Sequence, residues 1–212
     1  LVLGPMIRRI LGAVLLTALP LHAQAAPATL SFKTLRGDYR VTFDTAAISE
    51  DDLRQLVRLS PHLHFGEISP ATVWHAVSDK RGSVETFLGE LGWRDYAQNV
   101  ILQLPDYGKT NGRPQLNSIE WRSSIADFRA WQKGRTGYPI VDAGMRQLWA
   151  SGWMHNRVRM ITASFLVKHL LIDWRRGEQW FWDCLVDADY GSNTTNWQWI
   201  AGSGVDANMF SR

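Results

Sequence analysis

Residues 139–173 read PIVDAGMRQLWASGWMHNRVRMITASFLVKHLLID. Pro139 suits a first helical turn, where a missing N–H costs nothing, and the stretch predicts helices over 139–151 and 156–173. Working outward, helices are expected over 124–133 and 178–186, with Gly134 and Gly177 at helix stops. Ser69-Pro70 reads as N-cap and first position of a helix through Val77. Ser83 caps a longer helix to about residue 104, with apolar Val84, Phe87, Leu88, Leu91 and Val100. Residues 105–117 form a loop rich in Gly, Pro and Asn. From residue 60 onward the fold class is all-α.

The N-terminal part differs. Met6-Ile7-Arg8-Arg9, an apolar run to Leu21 and the Ala23-Gln24-Ala25 site read as a secretory signal peptide, with a buried helix as the other reading. Leu1 to Pro5 look like upstream sequence. Leu30, Phe32 and Leu35 before Arg36-Gly37-Asp38, then Tyr39, Val41 and Phe43, predict a short β-hairpin with a Gly-containing turn. Ser49 can cap a short helix from Glu50, with Leu53, Leu56 and Val57 as its apolar stripe.

Composition sets limits. The chain has 212 residues, 45% hydrophobic and 20% charged, enough for a packed core. One cysteine, Cys184, excludes an intramolecular disulfide and a Cys-based zinc or iron–sulfur site. No apolar run is long enough for a membrane span. The net charge of +3 permits an anionic partner without requiring one. The eleven tryptophans all fall between Trp74 and Trp199. They fill a core, stack on flat ligands or do both.

Three clusters carry potential chemistry. Glu90, Trp93 and Arg94 share a helical face at i, i+3, i+4, as a ligand wall or as a surface ion pair beside a core indole. Asn156 can cap the helix that opens with Arg157 and Arg159. Cations there oppose the helix dipole, so either an acidic group lies nearby or both face solvent. Residues 187–199, DADYGSNTTNWQW, read as a polar loop ending in two indoles. Asp187 and Asp189 have no His or further acid at ligand spacing, so no metal is expected, and a polar wall for a heteroaromatic ligand fits better.

Four strings, RLSPHLHFGEISP (58–70), FLGELGWRDY (87–96), the stretch 131–178 and DADYGSNTTNWQWIAGSGVDANMFSR (187–212), resemble the helical FAD-binding domain of DNA photolyases and cryptochromes, of the cyclobutane-dimer (deoxyribodipyrimidine) photolyase type. The resemblance implies an FAD cofactor and light-dependent repair of pyrimidine dimers in damaged DNA by electron transfer from reduced flavin, a carbon–carbon lyase reaction. It implies that Glu90 hydrogen-bonds the dimer, that Trp93 and Trp199 clasp it, and that Asn156, Arg157 and Met160 contact flavin or DNA. Cofactor contacts are implied for Arg58, Leu59, Ser60, Arg94, Asn156, Arg159, Asp187, Asp189 and Asn193, with Asn193 facing flavin N5 and Arg159 pairing with Asp187. Trp197, Trp174 and Trp121 match an electron-hopping chain. Asn156-Arg157 argues against the (6-4) photoproduct branch.

There are departures from the family's pattern. The phosphate string Thr-Ser-Arg-Leu-Ser stands here as Leu56-Val57-Arg58-Leu59-Ser60, a family tyrosine has no identified counterpart, and residues 1–212 are not expected to hold the usual α/β antenna domain or the family's further C-terminal helices. The expected organisation is 1–27 upstream and signal-like, 28–58 an unrelated extension, and 59–212 an incomplete FAD-binding domain, read as a fusion joined near Arg58-Leu59-Ser60-Pro61. A monomer in the cytoplasm is expected if repair holds, with export as the alternative location. A cryptochrome-like photosensor or a non-functional fragment are the alternatives in function.

Overall fold

The computed structural model describes residues 28–34, 37–43, 56–79 and 84–207. The signal-like segment and the helix expected from Ser49 lie outside them, apart from Leu56 and Val57. Among the described residues no helix is long and apolar enough to cross a membrane.

The hairpin forms. Strand β1 (Ala28–Thr34) pairs antiparallel with β2 (Gly37–Phe43), from Ala28 opposite Phe43 to Thr34 opposite Gly37. Gly37 and Asp38, expected in the turn, are the first residues of β2, and Asp38 faces Lys33 across the ladder.

Helices make up the rest. Helix α1 (Ser60–His64) follows a short 3-10 turn, Val57–Leu59. Helix α2 (Pro70–Val77) begins as its sequence predicts, the Ser69 hydroxyl accepting from the Thr72 N–H at 3.0 Å. Helix α3 (Val84–Gln103) is the longest among the described residues. Leu56, Leu59 and Leu63 pack with Val73, Val77, Phe87 and Leu91 into a small core between α1, α2 and α3. Leu56, in the stretch read as the extension, is part of this core.

The larger core is built by α4 (Ile125–Gln132), α5 (Pro139–Ser151), α6 (Asn156–Ser164), α7 (Trp174–Cys184) and α8 (Tyr190–Ala201). Its centre holds Trp131, Met145, Leu148, Leu166, Ile172, Trp174, Phe181 and Trp197. Helix α5 ends on Gly152, whose φ of 68° is open to glycine at little cost, with its N–H on the Leu148 carbonyl at 2.8 Å.

Four local readings need correction. The helix expected over 156–173 stops at Ser164 and widens into a π turn, Phe165–His169. Phe165, Leu166 and Val167 are all buried there, and three consecutive side chains do not share one helical face. The backbone N–H of Arg122 takes the Leu171 carbonyl at 2.8 Å, and Asp173 becomes the N-cap of α7. Gly177 is therefore inside α7 and not a helix stop: a Cβ there would stand 2.3 Å from Trp197 Cη2 and 2.5 Å from Leu166 Cδ2. Most of the stretch 187–199, read as a loop, lies in helix α8, capped by the Asp189 carboxylate on the Ser192 N–H at 2.7 Å. The N-cap of α6 is His155, not Asn156, and Asn156 is freed for another contact.

Asp142, buried in α5, accepts from the Thr136 N–H at 2.7 Å, the Thr136 hydroxyl at 2.6 Å and the Gly137 N–H at 3.0 Å. Burial works against its charge, but these bonds and nearby Arg146 outweigh it and hold the carboxyl below its ordinary range. A depressed carboxylate contributes stability above its unfolded value and loses it as the pH falls through the folded one. The stability gap between the protein and Asp142→Ala, followed by thermal melts, is therefore expected to be widest at neutral pH and to shrink below about pH 4.

Candidate functional site

The two cores face each other across a cavity of about 430 Å³, in the range of cofactor pockets. One wall is the α3 face carrying Phe87, Glu90, Leu91, Trp93, Arg94 and Ala97. The 3.6-residue period puts positions 90, 93, 94 and 97 on one side of α3. The opposite wall comes from the start of α6 and from α8, the segments that carry the other two clusters.

The polar lining converges on Asp187, which is buried. Its carboxylate accepts from Arg159 Nη2 at 2.9 and 3.1 Å and from the Ser60 hydroxyl. Arg159 Nε also donates to the Met154 carbonyl at 2.7 Å, which fixes the guanidinium plane. Of the two arginines near the start of α6, Arg159 therefore has the acidic partner, and Arg157 is exposed.

Asp189 caps α8 and also accepts from Gln98 Nε2 at 2.8 and 2.9 Å, tying α8 to α3. Both donated bonds of the Asn193 amide go to Glu178, to its carbonyl at 3.1 Å and its Oε1 at 3.0 Å. Asn193 lines the cavity with its amide nitrogen committed to Glu178. Burial pushes the Glu178 carboxyl above its ordinary range.

Also on the lining, Asn156 Nδ2 donates to Glu90 Oε1 at 3.0 Å, joining α6 to α3. Trp93, 53% exposed, stands edge-on to Tyr96 at 5.4 Å, and half-buried Trp199 and Met160 complete this part of the wall. Arg94 donates to the Leu63 carbonyl at 3.3 Å. The buried Thr195 hydroxyl and the Asp206 Oδ1 also line the cavity, and neither has a hydrogen-bond partner among the described residues. Unsatisfied polar atoms on an apolar wall suit a flat ligand with polar edges.

The cavity thus brings together Ser60, Glu90, Trp93, Arg94, Asn156, Arg159, Met160, Asp187, Asp189, Asn193, Trp197 and Trp199. Five expected residues are off its wall. Leu59 is wholly buried in the small core, and Arg58 is exposed with its guanidinium 5.9 Å above the Trp153 ring. Arg157 points to solvent. Trp174 is buried behind the wall and Trp121 is half-buried at the edge of the large core. Gln98 and Glu178, which hold Asp189 and Asn193, were missed, since they lie 91 and 15 residues from those partners; Ser192 and Thr195 fall within the 187–199 cluster but were not singled out. Among the described residues no cluster of His, Cys, Asp and Glu could hold a metal ion.

The sequence model of a family described as the FAD binding domain of DNA photolyase matches residues 87–212. The chain belongs to this family. It is 55% identical over 159 residues to a deoxyribodipyrimidine photo-lyase of Agrobacterium fabrum, covering 73% of this chain and 33% of that one. It is 43% identical to cryptochrome-1 of Sinapis alba, with 73% and 33% covered. An archaeal photolyase from Sulfolobus tokodaii, crystallised with two FAD molecules, superposes with a TM-score of 0.70 at 43% identity, over 76% of this chain and 38% of that one. The chain thus spans about a third of the length of the curated relatives it matches. The all-α expectation and the photolyase-type helical domain hold.

Proposed function

We propose that the cavity binds FAD and that the chain takes part in light-driven repair of cyclobutane pyrimidine dimers in DNA, as a deoxyribodipyrimidine photo-lyase. The observation that carries this reading is the cavity lining, which gathers the Asp187–Arg159–Ser60 network, the Glu90–Asn156 bond and the indoles of Trp93 and Trp199 around one space. Bound FAD would supply light absorption and one-electron chemistry. The residues present fit such a ligand, because the lining combines apolar and aromatic side chains with hydrogen-bonding groups and two polar atoms are left for it to satisfy.

The protein's part is to bind and orient. Asp187, Asp189 and Asn193 hold the polar edges of the cofactor, each fixed by a second residue: Arg159, Gln98 and Glu178. Trp93 and Trp199 stack against an extruded pyrimidine pair, and Glu90 hydrogen-bonds it; a damaged, poorly stacked lesion costs least to extrude. Exposed Arg157 contacts the DNA backbone. Trp197, Trp174 and Trp121 relay electrons from the surface inward: Trp197 is on the wall, Trp174 is buried in the same core and Trp121 lies at its edge. A repair role places the chain in the cytoplasm, as a monomer on damaged DNA.

The chain loaded with FAD should show flavin absorbance and, under light, remove the thymine dimer from a single-stranded oligonucleotide. Colourless protein that cannot be loaded overturns the proposal. The similarity to a plant cryptochrome supports a second reading, a flavin photosensor without repair. Light-driven reduction of the flavin with the dimer left intact would favour it, and Glu90, Trp93 and Trp199 argue against it.

A further inference from the structure

The loop over 105–117 lines no part of the cavity, yet it is tied closely to the tryptophans. Gln198, fully buried between Trp197 and Trp199 in sequence, donates to the Tyr107 carbonyl and to the Thr110 carbonyl at 3.0 Å. It accepts from the Gly112 N–H at 2.8 Å. The loop so held presents Asn111, 5% exposed, to Trp174, which is fully buried. Asn111 Oδ1 accepts from Trp174 Nε1 at 2.9 Å. The Asn111 nitrogen donates to the Leu116 carbonyl at 3.1 Å and to Asn117 Oδ1 at 2.9 Å. Those two bonds fix the amide orientation, so it is the oxygen that meets the indole. Arg175, paired with Asp173, holds its guanidinium 4.7 Å from the centre of the Trp174 ring.

Resting on the relay reading above, we infer that Asn111 is a positioning residue that keeps the indole proton on Trp174 while that side chain is one electron short. The oxidant is a photoexcited oxidised flavin acting through Trp197: Trp197 gives up one electron, and Trp174 replaces it. The resulting Trp174 radical cation is a far stronger acid than the neutral indole, and the Arg175 charge above it favours proton loss. The base strength of the hydrogen-bond partner then decides the outcome. A neutral amide oxygen accepts the hydrogen bond without taking the proton. The positive charge stays mobile, and one electron from Trp121 restores Trp174 with its N–H bond unbroken. A carboxylate in the same place would take the proton, leave a neutral radical and stop the relay at Trp174.

The test uses the FAD-loaded chain, flash excitation and transient absorption, in a Trp121→Phe background where the relay ends at Trp174. Trp174 should then persist as a radical cation, and adding Asn111→Asp should replace that spectrum with the neutral radical. Identical decay with and without Asn111→Asp overturns the inference. If Asn111→Asp does not fold, a neutral Trp174 radical formed beside intact Asn111 overturns it. No tryptophan radical in any variant sinks the relay reading itself, and the inference with it. A second measurement needs no flavin: in nitrogen-labelled protein the Trp174 indole N–H should resist hydrogen exchange and lose that protection in Asn111→Leu. Exchange as fast as that of exposed Trp149 in the unsubstituted chain overturns the assigned contact.

Discussion

Asp187→Ala is expected to lower stability by about 3 kcal/mol and to abolish retention of FAD. The Asp187 side chain is 4% exposed and Arg159 26% exposed, so removing the acid leaves a guanidinium largely out of water and without its counter-charge. The Ser60 hydroxyl loses its acceptor in the same step. Arg159 keeps the Met154 carbonyl, and its partial exposure lets some water reach it, which sets the cost at the lower end for a broken buried pair. Asp187→Asn separates charge from shape: it retains an acceptor for one donor but not the attraction to Arg159, and should fall between the two. Urea melts give the stability, and flavin absorbance after loading and desalting gives retention. Unchanged retention in Asp187→Ala would remove this residue from the proposed cofactor contacts.

Much of the helical frame was legible because its signals are local. Ser69-Pro70, Ser124 and Pro139 each mark a helix start by chemistry that acts within one turn, and the structure places caps or first turns there. The Glu90, Trp93 and Arg94 face was also legible, because a period of 3.6 fixes which side chains share a wall. Helix α8 was not. Its Gly, Ser, Asn and Thr residues are poor helix formers that suit loops, and tertiary bonds override that preference. Asn193 and Thr194 are held by Glu178, Gln198 by the 107–112 loop, and Asp189 by both Gln98 and its own cap. Gly177 misled for a related reason: glycine at a crossing and glycine at a stop look alike until the neighbour is known, and here the neighbour is the Trp197 ring. Partners such as Ser60 and Asp187 lie 127 residues apart, so no spacing argument reaches them.

The eleven tryptophans were left between core and ligand roles, and a pair of substitutions separates the two. Trp131 is fully buried, stacked with Phe128 at 5.8 Å and Phe181 at 6.0 Å, and meets Trp197 edge-on at 6.3 Å. Its Nε1 donates to the Thr162 carbonyl at 3.0 Å. Trp131→Ala is expected to cost about 3–5 kcal/mol, through lost burial, a cavity that the rings around it cannot close, and an unsatisfied carbonyl. For a chain of this size that is a fall of roughly 6–20 °C in Tm. Phe181 and Trp197 also line the cavity, so the wall they form loses its backing and FAD loading should weaken with the melt. Trp149 is the contrasting case. It stacks on Trp180 at 5.7 Å, nearly parallel, yet is 72% exposed. Trp149→Ala is expected to change stability by no more than about 0.5 kcal/mol, since a surface ring has little burial to lose. Equal losses from the two substitutions would mean that the Trp131 stack is not the centre of the large core.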